Sequence, residues 1–224
     1  MYYWEDFIDE IQTNLKSGDV LLDAGAGSGH WKSYFSDSIK YIGMDLGVGD
    51  SAVDYSTLDL KGDLKNIPLE NNSVDVIISI QVLEHCPEPW LVIQEFNRVL
   101  KPSGLLFFSV PQAVEEHQVP YDFFRYTSFG LKSLLESSKF ELISIKPQLG
   151  NFSKIVSDVC YSMNKLPSIG RNTIEILVLS FISFYIRQVM WRIHRPFFVK
   201  YLDPLKIFQD NSTGYFVKAI KIKD

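Results

Sequence analysis

Short apolar runs alternate with helix-spaced apolar positions over most of the chain. Val20–Leu22, Tyr41–Met44, Val74–Ile80, Leu105–Val110 and Glu141–Ile145 read as strands. The third and fourth are apolar almost without a break, which predicts strands covered on both faces, the habit of a parallel sheet. Between them, Trp90–Leu100 places Leu91, Phe96, Val99 and Leu100 on one stripe. It stops at Lys101-Pro102-Ser103-Gly104, a sequence that ends a helix and turns the chain back toward the sheet. A further helix is predicted over Ser128–Ser137, with Thr127 or Ser128 as its N-cap. Strands alternating with helices in this way predict a doubly wound α/β fold.

The alternation breaks at Pro147 and resumes only with a last strand, Gly214–Ile222. Three regions are therefore expected: a core over 1–146, a helical insertion over 147–210 that caps the substrate or mediates oligomerisation, and 211–224 completing the core sheet. Within the insertion, Ile174–Ile193 is apolar almost all round, and Ser180, Ser183 and Arg187 form a single polar ridge at helical spacing. Two readings stand side by side. One is a buried or dimer-forming helix. The other is a helix that rests on an anionic membrane surface, or admits a lipid-linked substrate, using Arg187, Arg192, Arg195 and Lys200. Its longest uncharged stretch, Ile176–Ile186, falls short of the roughly 18–20 apolar residues of a spanning helix, so no bilayer crossing is expected.

Composition narrows the function classes. The 224 residues are 46% hydrophobic and 22% charged, enough apolar material for a sizeable core. A net charge of −5 argues against bare nucleic acid as a partner, because neutralising phosphates needs a basic face. Cys86 and Cys160 match no CxxC pattern and suggest neither a disulfide framework nor a zinc site. Met1–Asp6 shows neither a basic nor an apolar leader region, so a cytoplasmic location is expected, at the inner face of the membrane if the apolar helix touches lipid.

The chemistry concentrates where the first strand ends. Leu22-Asp23-Ala24-Gly25-Ala26-Gly27-Ser28-Gly29 runs from a buried strand into glycines at alternate positions. Glycines there allow a sharp turn and let a ligand lie against the backbone; a helix is expected to follow. The dinucleotide fingerprint is G-x-G-x-x-G, whereas the spacing here is G-x-G-x-G with Asp23 two positions ahead. An acid so placed would repel a pyrophosphate but could hold the cationic amino or sulfonium end of another adenosine cofactor.

This segment resembles the first motif of class I S-adenosylmethionine-dependent methyltransferases, and three later segments follow in the family's order. Tyr41-Ile42-Gly43-Met44-Asp45 ends the second strand in a carboxylate. Gly62-Asp63-Leu64 resembles the adenine segment. Ser73–His85, followed by Val99–Leu105, resembles the fourth strand, its exit loop and the run into the fifth. The resemblance covers residues 20–140 together with the last strand. It implies a Rossmann-like, doubly wound, seven-stranded and mostly parallel sheet with an antiparallel last strand and a helical insertion before it.

S-adenosyl-L-methionine is the implied cofactor and S-adenosyl-L-homocysteine the product. Asp45 would take both ribose hydroxyls, since a carboxylate has two oxygens for two adjacent donors. Asp63 and the backbone of Leu64 would take adenine. Asp23, Gly25, Ala26, Gly27, Gly29, Leu46, Ser79 and Gln81 complete the implied cofactor set.

After the fifth strand, the stretch from Pro111 to Thr127 resembles that of small bacterial type-11-like methyltransferases of polysaccharide biosynthesis, with a His-to-Asp-Phe-x-Arg-Tyr pattern. It implies a glycan precursor or related small molecule as acceptor, with Tyr121, Arg125 and Tyr126 as contacts. The Asn/Asp-Pro-Pro-aromatic signature of amino-directed relatives is replaced by Ser79-Ile80-Gln81-Val82, which favours an oxygen acceptor.

A hydroxyl nucleophile gains from a base. His117 is the first candidate and His85 the second, with Asp122 orienting. The alternative readings are a solvated pair for Glu84 and His85 and a loop-pinning ion pair for Asp122 and Arg125. No metal-ligand set emerges, because the adjacent Glu115 and Glu116 would diverge. Two rival functions remain: a nicotinamide dehydrogenase, disfavoured by the glycine spacing, and a non-catalytic module that keeps the fold and binds the cofactor or a partner.

Overall fold

The computed structural model describes residues 4–48, 53–148, 151–194, 197 and 212–223. The chain divides into two compact units, one formed by Tyr2–Lys146 with Gly214–Asp224 and the other by Pro147–Thr213.

The first unit is built on seven strands: β1 (Val20–Ala24), β2 (Lys40–Asp45), β3 (Leu60–Lys61), β4 (Val74–Ile80), β5 (Leu100–Pro111), β6 (Phe140–Pro147) and β7 (Gly214–Lys221). Their order is β3-β2-β1-β4-β5-β7-β6. Pairing is parallel from β3 through β5, and β7 runs antiparallel to β5. The seven-stranded, mostly parallel sheet with an antiparallel last strand is as the resemblance implied.

Helices cover both faces because the central strands are apolar on both. On one face α2 (Pro89–Val99) and α3 (Ser128–Ser137) bury Val92, Ile93, Phe96, Leu131 and Leu135 against Leu22, Ile77 and Leu106. Thr127 caps α3, its side chain accepting from the Gly130 N–H at 3.1 Å. On the other face α1 (Trp4–Asn14) buries Phe7, Ile8 and Ile11 against Leu21, Val76, Ile78 and Phe107. Leu21 and Leu22, Val76 and Ile77 alternate between the two layers, as strand periodicity requires.

Two local expectations are corrected. The helix foreseen after the glycine loop is only a 3₁₀ turn, His30–Tyr34, before β2 begins at Lys40. Trp31 and Phe35 of this segment share that face with α1, which the apolar pattern did not reveal. The turn expected at Lys101–Gly104 is part of β5, where the register against β4 shifts between Val74 and Val76 and Ser103 takes a positive φ of 63°. The helix break is real, but a bulged strand takes its place.

The second unit contains α4 (Asn151–Lys165) and α5 (Thr173–Val189), the latter continuing through a wider turn to His194. Asn172 caps α5 by accepting from the Glu175 N–H at 3.0 Å. The polar ridge turns inward: Ser183 is buried and its hydroxyl donates to the Met163 carbonyl at 2.5 Å. Ile174, Leu177, Val178, Phe181 and Phe184 are exposed, a stripe at helical spacing facing away from the unit. Of the reading of α5 as a buried or dimer-forming helix, burial within this chain is corrected. Thr173–Arg192 is also long and apolar enough, by length and composition, to cross a membrane, contrary to the estimate from its uncharged stretch alone. Arg195 and Lys200 lie outside the described residues.

Candidate active site

Open parallel sheets bind ligands at the carboxyl ends of their strands, where the strand order reverses. Here that point lies between β1 and β4. A cavity of about 430 Å³ opens there, lined by Gly25, Gly27, Asp45, Leu46, Asp63, Leu64, Gln81, His85 and Tyr121 among others. Its size suits a cofactor or drug-sized ligand. A cavity of about 480 Å³ at the other end is lined by Asn71, Asn72, Arg98 and Lys221, whose polar groups serve one another and nearby carbonyls.

Asp45 is the best-organised group in the first cavity. The Gly27 N–H donates to Oδ2 at 2.9 Å and the Gly47 N–H to Oδ1 at 2.8 Å. Each oxygen retains a lone pair, so the carboxylate is held in place with two acceptors to offer a vicinal diol. Gly25 is required next to it: φ is +92°, and a Cβ there would meet Val82 Cγ2 at 2.3 Å. At the far wall Asp63 accepts from the Lys65 N–H at 2.9 Å, and Leu46, Val48, Val53 and Leu64 provide an apolar surface for a planar base. These residues fit an adenosyl cofactor, which would supply an electrophilic methyl group when bound.

Several residues named from sequence fall outside the cavity's lining. Ala26 and Gly29 shape the loop: Ala26 N–H donates to the Met44 carbonyl at 3.0 Å, and Gly29, at φ +75°, starts the 3₁₀ turn. Ser79 is buried, donating to the Ala24 carbonyl at 2.9 Å. Asp23 is buried beneath the loop, accepting from the Tyr41 hydroxyl and leaving Oδ1 without a partner.

Burial pushes the Asp23 carboxyl up to about 7, helped by the Asp45 charge and opposed by the Tyr41 hydrogen bond. From the unfolded value near 3.8 up to about 7 the native state alone holds this proton, so stability falls as pH rises through that window and levels off above it. Asp23→Asn removes the effect. The variant's melting temperature should gain on the parent's between pH 5 and pH 8 by an amount equivalent to about 3 kcal/mol, roughly 6–12 °C. Calorimetric melts without cofactor check this, and parallel pH profiles would refute it.

The loop after β5 is fixed from within. Asp122 is nearly inaccessible, and its oxygens accept from Arg125 Nη1 and Nη2, both at 2.7 Å. Arg125 also donates to the carbonyls of Val114, Glu115 and Phe124. The guanidinium is thereby spent, and it holds the Asp122 carboxyl well below the usual carboxylate range. Tyr126 is buried and donates to the Leu83 carbonyl at 2.8 Å. Arg125 and Tyr126 thus brace the loop and lie outside the cavity's lining, whereas Tyr121 lines the cavity.

The loop carries His117 to His85, their ring centroids 4.9 Å apart. Asp122 Oδ2 accepts from the His117 N–H at 2.8 Å, and the ring Nδ1 lies 3.4 Å from that oxygen. His85 lines the cavity, and burial lowers its pKa, favouring the neutral imidazole. Glu84, which sequence left as one of a solvated pair, is fully buried with neither carboxylate oxygen hydrogen-bonded. Burial pushes its carboxyl up to about 8. Cys86, also on the cavity wall, is pushed up to about 12 by burial and is no nucleophile.

Residues 22–108 match the family model described as a methyltransferase domain. An uncharacterized methyltransferase of Mycobacterium leprae is 33% identical over 99 residues, 41% of this chain and 37% of that protein. The malonyl-[acyl-carrier protein] O-methyltransferase of Yersinia pestis is 37% identical over 98 residues, 42% and 37% of the two chains. The chain thus spans a little over a third of the length of these relatives. Among solved structures, a methyltransferase-like protein from Bacillus halodurans superposes with a TM-score of 0.58 at 17% identity, covering 98% of this chain and all of that one. The [4+2]-cyclase SpnF superposes at 0.57 with 20% identity, covering 97% of this chain and 80% of its own.

Residues 22–108 are thus similar to methyltransferase domains, and the seven-stranded sheet has the fold of the solved methyltransferase-like protein.

Proposed function

We propose that the protein transfers the methyl group of S-adenosylmethionine to a hydroxyl oxygen of a glycan precursor or related polar small molecule. The observation that carries the cofactor side is Asp45, which lines the cavity and is pinned by two backbone N–H groups that leave each oxygen further capacity to accept. On the acceptor side, Tyr121, Gln118 and Gln81 place hydrogen-bonding side chains on the cavity lining beside His85, a setting for a hydroxyl-rich molecule. The Yersinia relative's O-methyltransferase name agrees with an oxygen acceptor.

In-line transfer needs alignment and a dry pocket more than a protein nucleophile. Gly25, Gly27, Asp45, Asp63 and Leu64 hold the cofactor. The corner formed by Glu84, His85 and His117 deals with the acceptor proton. Because the His85 Nδ1–H donates to the Tyr121 carbonyl at 2.5 Å, Nε2 is the nitrogen left to accept. His85, on the cavity wall, is thus better placed than His117 to meet the acceptor. Asp122 acts as a positioning residue through Arg125 and the His117 backbone. The test is incubation with isotope-labelled S-adenosylmethionine and a panel of nucleotide-sugars and lipid-linked glycans. Label in a methyl ether supports the reading; cofactor binding without transfer to any hydroxyl-bearing acceptor favours the non-catalytic module.

We infer a cytoplasmic protein whose α5 lies on an anionic membrane surface. The exposed stripe from Ile174 to Phe184, with Arg187 and Arg192 at its end, supports this arrangement. Sedimentation with vesicles containing phosphatidylserine should carry the protein down, and Phe181→Glu should release it. A protein that ignores vesicles but dissociates from dimer to monomer on the same substitution would assign the stripe to a second copy.

A further inference from the structure

The fold brings together three ligand-bearing side chains that sequence reading kept apart. Glu84 and His85 lie on a 3₁₀ turn after β4, and His117 on the loop after β5. One ligand atom from each lies within 4.8 Å of the other two. The segments are cross-braced: the Glu84 carbonyl accepts from the Phe123 N–H at 2.8 Å, and the Tyr121 carbonyl accepts from His85. We propose that Glu84, His85 and His117 form a binding site for a divalent transition-metal ion at the acceptor end of the cavity.

The chemistry of each donor supports this. His85 uses Nδ1–H on the Tyr121 carbonyl, which leaves the Nε2 lone pair bare, 3.9 Å from Glu84 Oε1. His117 Nδ1 lies 3.1 Å from the Glu115 carbonyl, and donation there leaves its Nε2 bare as well. A backbone carbonyl behind each imidazole is the support that metal-bound histidines usually have. Glu84 is fully buried with both carboxylate oxygens lacking a hydrogen-bond partner. Buried polar groups left so are uncommon and costly, and a bound cation would satisfy this one. The neighbouring cation, Arg125, is engaged by Asp122.

Two neutral imidazoles and one carboxylate form a donor set suited to zinc or a neighbouring first-row ion, with further coordination positions open. A dication bound to one carboxylate retains one net positive charge at a site that includes the cavity-lining His85. It would take a hydroxyl flanked by a second oxygen donor, so that the two chelate the ion. This deepens the proposed oxygen methylation and rests on it. With the ion bound, His85 Nε2 holds the metal in place of taking the acceptor proton, and the coordinated hydroxyl releases that proton to solvent. The freed oxygen pair forms the O–CH₃ bond as the S–CH₃ bond breaks, and the sulfur keeps that bond's electron pair, leaving a neutral thioether.

The test is titration of the chelator-stripped full chain with Zn²⁺ by calorimetry and with Co²⁺ by visible absorption. S-adenosylmethionine affinity is measured separately on the same samples. One equivalent of metal should bind saturably, and Glu84→Gln and His117→Ala should each weaken it at least tenfold while cofactor affinity is kept. Absence of saturable binding, or unchanged affinity in both variants, overturns the proposal. If Glu84→Gln loses cofactor binding through misfolding, His117→Ala, on a partly exposed loop, decides. Metal binding without any cofactor binding in the parent protein would instead refute the proposed function.

Discussion

Replacing Asp45 by Ala should weaken S-adenosylmethionine binding about a hundredfold or more. Two effects add. The substitution removes both acceptors for the ribose diol, and hydrogen bonds to a charged group contribute about 1.5–3 kcal/mol each. It also frees the Gly27 and Gly47 N–H groups, which Asp45 now accepts at 2.9 and 2.8 Å, so the glycine loop loses its brace. Asp45→Asn separates the two, because its single carbonyl oxygen can serve one N–H and one hydroxyl but not both pairs. It should fall between parent and Ala variant. Calorimetric titration checks the order, and an affinity unchanged in Asp45→Ala removes Asp45 from the site.

Replacing His85 by Ala should lower kcat by about 10²–10⁴, with cofactor affinity largely kept. His85 faces the cavity, and its Nε2 is the nitrogen free to act on an acceptor proton, directly or as a metal ligand. The same loss is expected on either route, but the accompaniment differs. A free base gives a parallel loss with and without added Zn²⁺. A ligand gives a variant that no longer binds the ion. Single-turnover rates on labelled cofactor read the loss, and an unchanged rate assigns His85 to holding Tyr121 alone.

Much of the cofactor end was legible because each element leaves a local mark. A buried strand running into Gly25, Gly27 and Gly29 fixes where a ligand can approach, and an acid closing the next strand falls beside it by parallel registry, Asp23 opposite Gly43 and Ala24 opposite Met44. Residues that only support the loop resemble those that touch the ligand in sequence. Asp23, Ala26 and Ser79 carry the same spacing signal as Gly25 and Gln81, but Asp23 and Ser79 are buried within their strands and Ala26 is buried in the loop.

The acceptor end was harder. Arg125 and Tyr126 look like contacts because charged and aromatic residues crowd there; only the fold shows that their polar groups are spent on Asp122 and on backbone carbonyls. Glu84 and His117 are more than thirty residues apart in sequence, so their meeting depends on β4 and β5 being neighbours. The apolar helix shows the same limit: its ridge of Ser180, Ser183 and Arg187 was evident, but which side met the protein was not, and Ser183 turned inward reverses the usual order.

The central claim is that the cavity at the ends of β1, β2 and β4 binds S-adenosylmethionine. Calorimetric titration with S-adenosylmethionine, run beside NADH, tests it most directly. Saturable 1:1 binding of S-adenosylmethionine at micromolar affinity, with no heat from NADH, is the outcome expected from Asp45, Asp63 and the glycine spacing. Binding of NADH in its place, or of neither, would contradict the account.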